Sequence, residues 1–257
     1  MLLCGINKDF EMKIDILTLF PDMFGPLSMS MLGRAGEKGI LEINTVNIRD
    51  FSKDKHKKAD DYPFGGGAGM VMMAQPIFDC LKSVGTEGKK LLYMSPRGKV
   101  IDQQKISELA KEDGLVILCG HYEGVDQRVL DEFGFEEVSI GDYILTGGEL
   151  PAMVLIDTVA RMIPDVLASE DSAFGESIYS GLLEYPQYTR PASFEGIDVP
   201  PVLTSGNHEA VYLWQFEESL KLTKERRPDL LEKYAQENAS KLSKKERKIL
   251  DNYIKIL

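Results

Sequence analysis

The most informative segment of the sequence is residues 139–164, SIGDYILTGGELPAMVLIDTVARMIP, in which a glycine turn leads directly into a long apolar segment. Glycine adopts backbone conformations that other residues avoid, so this turn can bring the main chain close to a ligand. Glu149 and Pro151 are typical of the first turn of a helix. Almost every side chain from Leu150 to Ile163 is apolar. This pattern predicts a buried helix preceded by an exposed turn.

Arg161 interrupts the apolar character of this helix near its end. A guanidinium group is always charged and needs an anionic or electron-rich partner where it is partly buried. For a lone arginine, a structural ion pair is a more common explanation than a catalytic role. The residues around Arg161 therefore favour the structural interpretation when they are taken alone.

Strand and helix patterns alternate before this segment. Short apolar runs predict strands at residues 12–20, 40–48, 90–94, 115–119 and 137–140. Helical patterns separate them, at residues 23–38, 75–84, 102–110 and 125–133. Strands that alternate with helices predict an α/β fold with a parallel sheet covered on both faces.

The last three predicted strands each end in a polar loop that contains glycine, at residues 95–98, 120–124 and 141–143. One such loop alone would be no more than a turn that ends a strand. In open parallel sheets, however, ligands bind at the carboxyl ends of the strands. The three loops together predict a pocket lined by main-chain groups, of a kind that could recognise an adenine.

Another glycine loop, GGGAG, occupies residues 65–69 after Asp60 and Asp61. Successive backbone N–H groups can cradle an anion. No Lys-Ser/Thr pair follows this loop and its glycine spacing is not GxGxxG, so it is neither a P-loop nor a dinucleotide motif. It is either a flexible surface loop or a hinge that admits a flat ligand beside the apolar residues 70–73.

Charge is distributed unevenly along the chain. The whole sequence has a net charge of −11, yet residues 221–257 contain 11 lysines and arginines against 6 acidic residues. A second basic cluster, defined by Arg49, Lys53, Lys55, His56, Lys57 and Lys58, precedes the glycine loop. Phosphate binding depends on lysine and arginine, so these two regions favour a polyanion bound at defined patches.

Composition argues against several other classes of protein. We expect no membrane span, because no sufficiently long apolar run is free of charge, and no secretion signal in residues 1–11. Three widely spaced cysteines favour a reducing cytoplasm over a disulfide framework. They form no zinc-ligand spacing with the three histidines, so we expect no structural or catalytic zinc.

A series of short motifs, in order along the chain, resembles one family. The motifs are Leu19-Phe20-Pro21, Arg49-Asp50-Phe51, Asp60-Asp61, Gly65 to Met73, Tyr93 to Pro96, Cys119 to Gly124, Ser139 to Pro151, Tyr188-Thr189-Arg190-Pro191 and Pro200 to His208. They resemble the bacterial tRNA (guanine-N(1))-methyltransferases of the SPOUT class. The resemblance extends from Met12 to the carboxyl-terminal helices.

The resemblance implies an α/β fold whose parallel sheet carries a deep C-terminal trefoil knot, plus a small all-α C-terminal domain. Residues 1–11 would be an N-terminal extension and residues 12–164 the knotted cofactor-binding domain. Residues 165–185 would form a flexible linker that carries the catalytic carboxylate, and residues 186–257 a helical tRNA-binding domain. Members of this family are homodimers with active sites at the interface, which gives the apolar helix a partner.

The resemblance also implies cytoplasmic methylation of ring nitrogen 1 of the guanosine on the 3′ side of the anticodon in tRNA, with S-adenosylmethionine as methyl donor. The implied cofactor-binding residues are Tyr93, Met94, Ser95, Pro96, Gly120, Tyr122, Glu123, Ile140, Gly141, Tyr143, Leu145, Gly147 and Gly148. The implied tRNA-contacting residues are Asp60, Gly65, Gly66, Gly67, Gly69 and Arg190. The carboxylates leave room for Mg²⁺ without requiring it.

Methylation of this nitrogen needs a base to remove its proton and a cation to stabilise charge on the exocyclic oxygen. By resemblance Arg161 supplies the cation and a carboxylate in the linker supplies the base. The family usually has Asp-Ser-Phe where this chain has Glu176-Ser177-Ile178. A gap-free alignment selects Glu176, and Asp171 is the competing candidate. His121 and Ala68 stand where many relatives have arginine and proline.

Two hypotheses from other classes are also considered. One is a nucleotide-dependent oxidoreductase or kinase, although the phosphate-binding motifs of those enzymes are missing. The other is an RNA-binding module without catalytic activity that keeps the knot as a scaffold.

Overall fold

A computed structural model describes residues 12–167 and 180–254 of the chain, which divides into two compact units, Met1–Ala168 and Ser169–Leu257. The first unit contains seven strands in its described part. They are β1 (Met12–Thr18), β2 (Leu41–Asn47), β3 (Asp60–Asp61), β4 (Val71–Met72), β5 (Lys90–Val100), β6 (Gly114–Cys119) and β7 (Glu136–Ser139).

Five of these strands form one parallel sheet in the order β2-β1-β6-β5-β7. The prediction of a parallel α/β sheet is therefore confirmed. The two short strands β3 and β4 pair separately as an antiparallel ribbon. Since β6, β5 and β7 lie side by side and run in the same direction, the loops after β6 and β7 leave the sheet at one edge, beside residues 95–98 of β5.

Helices cover both faces of the sheet. They are α1 (Ser30–Lys38), α2 (Ala74–Val84), α3 (Gln103–Leu109), α4 (Gln127–Phe133) and α5 (Glu149–Ala160). Helices α1, α3 and α5 share one hydrophobic core with alternate strand residues such as Ile14 and Ile117. Helices α2 and α4 share the other core with Leu17 and Leu118. Side chains of successive strand residues point to opposite faces, which accounts for two cores on one sheet.

The prediction of one helix over residues 23–38 is wrong. The segment Pro21–Ser28 forms a 3₁₀ helix, and α1 starts separately at Ser30. Pro26 lies inside the first segment, where it has no N–H to donate and its ring would clash with the preceding turn of an α-helix. Met29 has an extended backbone and separates the 3₁₀ helix from α1.

Helix α5 is less completely buried than its sequence predicts. Most of its side chains lie in the core, but Leu150 and Val154 are 49% and 46% exposed. These two residues are one helical turn apart and therefore lie on the same side of the helix. The helix thus presents a narrow apolar stripe on the surface of the protomer, next to the exposed Asp157.

The second unit contains three α-helices within residues 180–254. These helices are α6 (His208–Arg226), α7 (Pro228–Asn238) and α8 (Lys244–Ile254). Leu182, Phe216, Leu220, Leu231 and Leu250 form its buried core. A short antiparallel hairpin of β8 (Ser193–Phe194) and β9 (Ile197–Asp198) precedes the helices. The unit is mainly helical, with a hairpin that the sequence did not predict.

Strand β5 continues beyond the predicted residues 90–94. Its pairing with β7 shifts register between Met94 and Lys99, so residues 95–98 form a bulge rather than a loop that ends the strand. Gly98 lies against the backbone of Glu137 and Val138, where a side chain would collide with main-chain atoms. Close contact between the two strands therefore depends on glycine at this position.

We expect Gly98→Ala to destabilise the first unit by about 1–3 kcal/mol, because the added methyl group must push β5 away from β7. Thermal unfolding of the purified chain measures this loss. Gly36→Ala is the matched control, since the nearest atom to its new methyl group would be the Leu41 carbonyl oxygen at 3.6 Å, an ordinary contact. Equal unfolding temperatures for the two variants would contradict the close-contact explanation.

Candidate active site

A pocket of about 290 Å³ lies at the carboxyl edge of the sheet. Three segments build it: the bulge of β5, the loop after β6 and the loop between β7 and α5. Five of its lining residues are glycines, so main-chain groups form much of its wall. All thirteen predicted cofactor-binding residues line this pocket: Tyr93, Met94, Ser95, Pro96, Gly120, Tyr122, Glu123, Ile140, Gly141, Tyr143, Leu145, Gly147 and Gly148.

Main-chain contacts hold two of the three segments together. The Gly148 N–H donates to the Gly120 carbonyl oxygen at 2.9 Å, and His121 forms an isolated antiparallel bridge with Gly147. A Cβ atom on Gly148 would lie 2.7 Å from the Cys119 Cα atom. The start of α5 is thus packed directly against the backbone that follows β6.

Nine lining residues were not among the thirteen cofactor-binding residues that the resemblance implied, although Arg97, His121 and Gly124 lie in the predicted pocket loops. The nine residues are Arg97, His121, Gly124, Val125, Val138, Ser139, Ile144, Thr146 and Pro151. Most lie in the same loops as the predicted residues, so the extent of each loop in the sequence was the signal that could have identified them. The Arg97 guanidinium donates to both oxygens of Glu137, at 2.8 and 3.0 Å. This paired geometry fixes Arg97 at the rim of the pocket.

Burial dominates the ionisation of Tyr93, which lines the pocket, and of Cys119, which directly precedes the lining residue Gly120. Burial raises the pKa of the Tyr93 phenol, and the nearby Glu137 carboxylate raises it further. Burial also raises the pKa of the Cys119 thiol well above its ordinary value, with a smaller contribution from Glu149. Both groups are therefore neutral at physiological pH. Neither is suited to act as an anionic base or nucleophile.

The predicted tRNA-contacting residues of the first unit lie beside this pocket. Asp60 pairs with Met72 in the β3–β4 ribbon, and the exposed residues 65–69 belong to the loop that joins the two strands. The Glu123 N–H donates to the Met70 carbonyl oxygen and the Met72 N–H to that of Gly124, both at 2.9 Å. The glycine loop is therefore anchored to the pocket loop at residues 120–124.

The basic cluster at residues 49–58 is partly neutralised. Lys53, Lys57 and Lys58 form ion pairs with Asp79, Asp50 and Asp61, respectively. Arg49 instead directs its guanidinium to the Tyr122 hydroxyl oxygen at 3.4 Å. Exposed ion pairs contribute little to stability, so these lysines can exchange their partners for phosphate groups.

Arg161 follows the last residue of α5, whereas the amino-terminal end of this helix borders the pocket. Arg161 does not line the pocket in the described part of the chain. Arg190 lies in the second unit and is exposed. Both candidates for the base, Glu176 and Asp171, lie outside the described residues.

Within residues 12–167 and 180–254, no helix is long and apolar enough to cross a membrane. In the same part of the chain, no group of three or more histidine, cysteine, aspartate and glutamate side chains could hold a metal ion.

The fold and the site together define an α/β protein that has a main-chain-lined ligand pocket at the carboxyl edge of a parallel sheet. A sequence model of the family described as tRNA (Guanine-1)-methyltransferase TrmD matches residues 12–233. The chain belongs to this family. The hypotheses of an oxidoreductase or kinase and of an RNA-binding module without activity are thereby excluded.

Curated proteins with the name tRNA (guanine-N(1)-)-methyltransferase are similar over most of their length. The protein from Ruminiclostridium cellulolyticum is 56% identical over 88% of this chain and 99% of its own length. That from Alkaliphilus metalliredigens is 58% identical over 86% and 92%. That from Clostridium acetobutylicum is 53% identical over 94% and 98%.

Proposed function

We propose that this chain transfers a methyl group from S-adenosylmethionine to ring nitrogen 1 of the guanosine on the 3′ side of the anticodon in tRNA, giving 1-methylguanosine. The observation that carries this proposal is the convergence of all thirteen predicted cofactor-binding residues on one pocket. The names of the relatives support the nucleic acid and the reacting nitrogen. A tRNA substrate also implies a cytoplasmic enzyme.

The lining of the pocket suits this cofactor. Its volume of about 290 Å³ is near the lower end of the range for small-molecule sites. Apolar side chains such as Met94, Ile140 and Leu145 can cover an adenine ring, while the main chain of the glycine-rich segments offers donors and acceptors to the edges of the base. The pocket-lining residues would hold the cofactor with main-chain hydrogen bonds rather than with charged side chains.

We also propose that the pocket segments belong to a deep trefoil knot. Strand β7 lies at the edge of the sheet beside β5. The chain that leaves β7 nevertheless returns across β5 to Gly120, the residue that follows β6. This return crosses the carboxyl end of β5. Such a crossing is compatible with a knotted chain. Ordinary α/β connections do not form knots.

When it is bound, the cofactor supplies an electrophilic methyl group. Arg161 would stabilise the negative charge that develops on the exocyclic oxygen of guanine as nitrogen 1 loses its proton. Glu176 would accept that proton, with Asp171 as the alternative base. The proposed steps leave room for Mg²⁺ and do not depend on it.

Arg161 would act in the pocket of a second copy of the chain. Helix α5 has 12 residues and is therefore about 18 Å long, which separates Arg161 from the pocket at the opposite end of the same helix. The exposed Leu150 and Val154 give α5 an apolar surface that a second protomer could cover. A homodimer with composite sites would satisfy both features.

Asp60 and the loop at residues 65–69 would face the guanine base. The basic cluster at residues 49–58 and the basic helices α6 to α8 would bind the phosphate backbone. Arg190 would add a further contact from the second unit. The target base would have to leave its stack to reach the pocket.

Mass spectrometry of nucleosides from unmodified tRNA, incubated with the chain and S-adenosylmethionine, tests the proposed function. We expect 1-methylguanosine at the position 3′ to the anticodon. Calorimetry should detect binding of S-adenosylmethionine and none of NAD or ATP. A different methylated nucleoside, or no binding of S-adenosylmethionine, would refute the proposal.

A mixed-dimer experiment tests the position of Arg161. We expect Arg161→Ala alone to reduce methyl transfer by about 10²-fold or more, through loss of charge stabilisation, with nearly unchanged cofactor affinity. Gly148→Val alone should be inactive because its side chain enters the Cys119 backbone. An equal mixture of the two should recover about a quarter of wild-type activity, since half of the dimers would hold one complete site.

The control for this mixture is native mass spectrometry, which counts the mixed dimers. If mixed dimers form and remain inactive, Arg161 does not act across the interface. A loss of cofactor affinity in Arg161→Ala would instead assign the residue a structural role.

Matched amide substitutions test the base. We expect Glu176→Gln to slow single-turnover methylation by about 10²-fold or more, because an amide cannot accept the proton. Asp171→Asn, which makes the same chemical change five residues earlier, should retain most of the activity. The reverse result would make Asp171 the base and would show that the gap-free alignment is wrong.

A further inference from the structure

Glu149 is a buried carboxylate that the proposed reaction does not use. It is the first residue of α5 and is only 1% exposed. Burial of a carboxylate is unfavourable unless hydrogen bonds and a compensating charge stabilise it. Its position in the first helical turn provides part of that compensation through the helix dipole.

Both oxygens of Glu149 have hydrogen-bond partners from other elements. The Thr18 hydroxyl at the end of β1 donates to Oε1 at 2.6 Å. His121 Nε2 lies 2.7 Å from Oε2. The carboxylate therefore connects α5 to the ends of β1 and β6 with two short bonds.

Neighbouring residues contact the His121 ring on several sides. Its ring packs against Phe20, with 4.8 Å between ring centroids, and its side chain is only 16% exposed. The ring also lies directly over Gly147, where any Cβ atom would collide with it. Because His121 also lines the pocket, the Glu149–His121 contact lies immediately behind the pocket wall.

We infer that Glu149 and His121 are positioning residues that lock the loop at residues 140–148 to the loop at residues 120–124. The side-chain contact adds to the backbone bond between Gly148 and Gly120. Together they fix the separation of two pocket walls before any ligand binds. Identification of the ligand as S-adenosylmethionine rests on the proposed function.

The geometry distinguishes two conservative substitutions of His121. The amide nitrogen of glutamine can lie near the position of Nε2 and still donate to Glu149. The shorter asparagine places its amide nitrogen nearer the position of Nδ1 and leaves Oε2 without its partner. The histidine ring itself is lost in both variants, so the comparison isolates the hydrogen bond.

We expect His121→Asn to weaken binding of S-adenosylmethionine by about tenfold or more in calorimetry, because a buried carboxylate oxygen loses its partner. His121→Gln should stay within about threefold of wild type, because the donor is retained. Glu149→Leu should also weaken binding, because a side chain of similar size without oxygens cannot accept from His121. The double variant His121→Asn with Glu149→Leu should be little worse than either single variant, since both remove the same contact.

Hydrogen–deuterium exchange of the cofactor-free chain gives a second measurement. Peptides that cover residues 140–148 should exchange faster in His121→Asn than in wild type or His121→Gln. Lys89→Gln is the control for general loss of stability, because it removes a largely buried ion pair with Asp15. Lys89 precedes the first residue of β5, whereas the pocket lies near the bulge at residues 95–98. This variant should unfold at lower temperature with unchanged cofactor affinity.

Wild-type affinity and exchange in His121→Asn would overturn the inference. So would equal weakening in His121→Gln, additive effects in the double variant, or an equal loss of affinity in Lys89→Gln. If the wild-type chain does not bind S-adenosylmethionine, the proposed function fails, whereas the exchange measurement still tests the lock.

Discussion

The hydrogen bond from the Gly148 N–H to the Gly120 carbonyl oxygen is the contact on which the site depends. It brings the chain from the edge strand β7 back to the end of β6 and starts α5 there. The pocket exists because this return closes one wall against another. Gly147 and Gly148 permit it, since side chains at either position would collide with His121 or with the backbone at Cys119.

The same arrangement explains why an acidic side chain is buried at the start of α5. Glu149 is a favourable residue at the start of a helix, and the return of the chain places it between Thr18 and His121. Its burial is tolerated because both oxygens are hydrogen-bonded. Backbone groups add to the polarity of the pocket, because five of the residues that line it are glycines.

Helix α5 connects two separate parts of the proposed mechanism. Its amino-terminal end borders the pocket, and Arg161 follows its carboxyl-terminal end, about 18 Å away. The burial pattern made an ion pair the simpler explanation of Arg161, and resemblance to a family changed that interpretation. The length of α5 adds a constraint, because one protomer alone would not bring Arg161 to its own pocket.

The sequence by itself determined the five strands of the parallel sheet and most helices, because apolar periodicity records which side of an element is buried. It also identified the three pocket loops, since glycine and polar residues directly follow apolar runs. Only the tertiary structure decided the continuation of β5 past its bulge, the His121–Glu149 contact and the separation of Arg161 from the pocket. The physical reason is that periodicity reports local burial, whereas these features depend on strand order, which joins residues far apart in the chain.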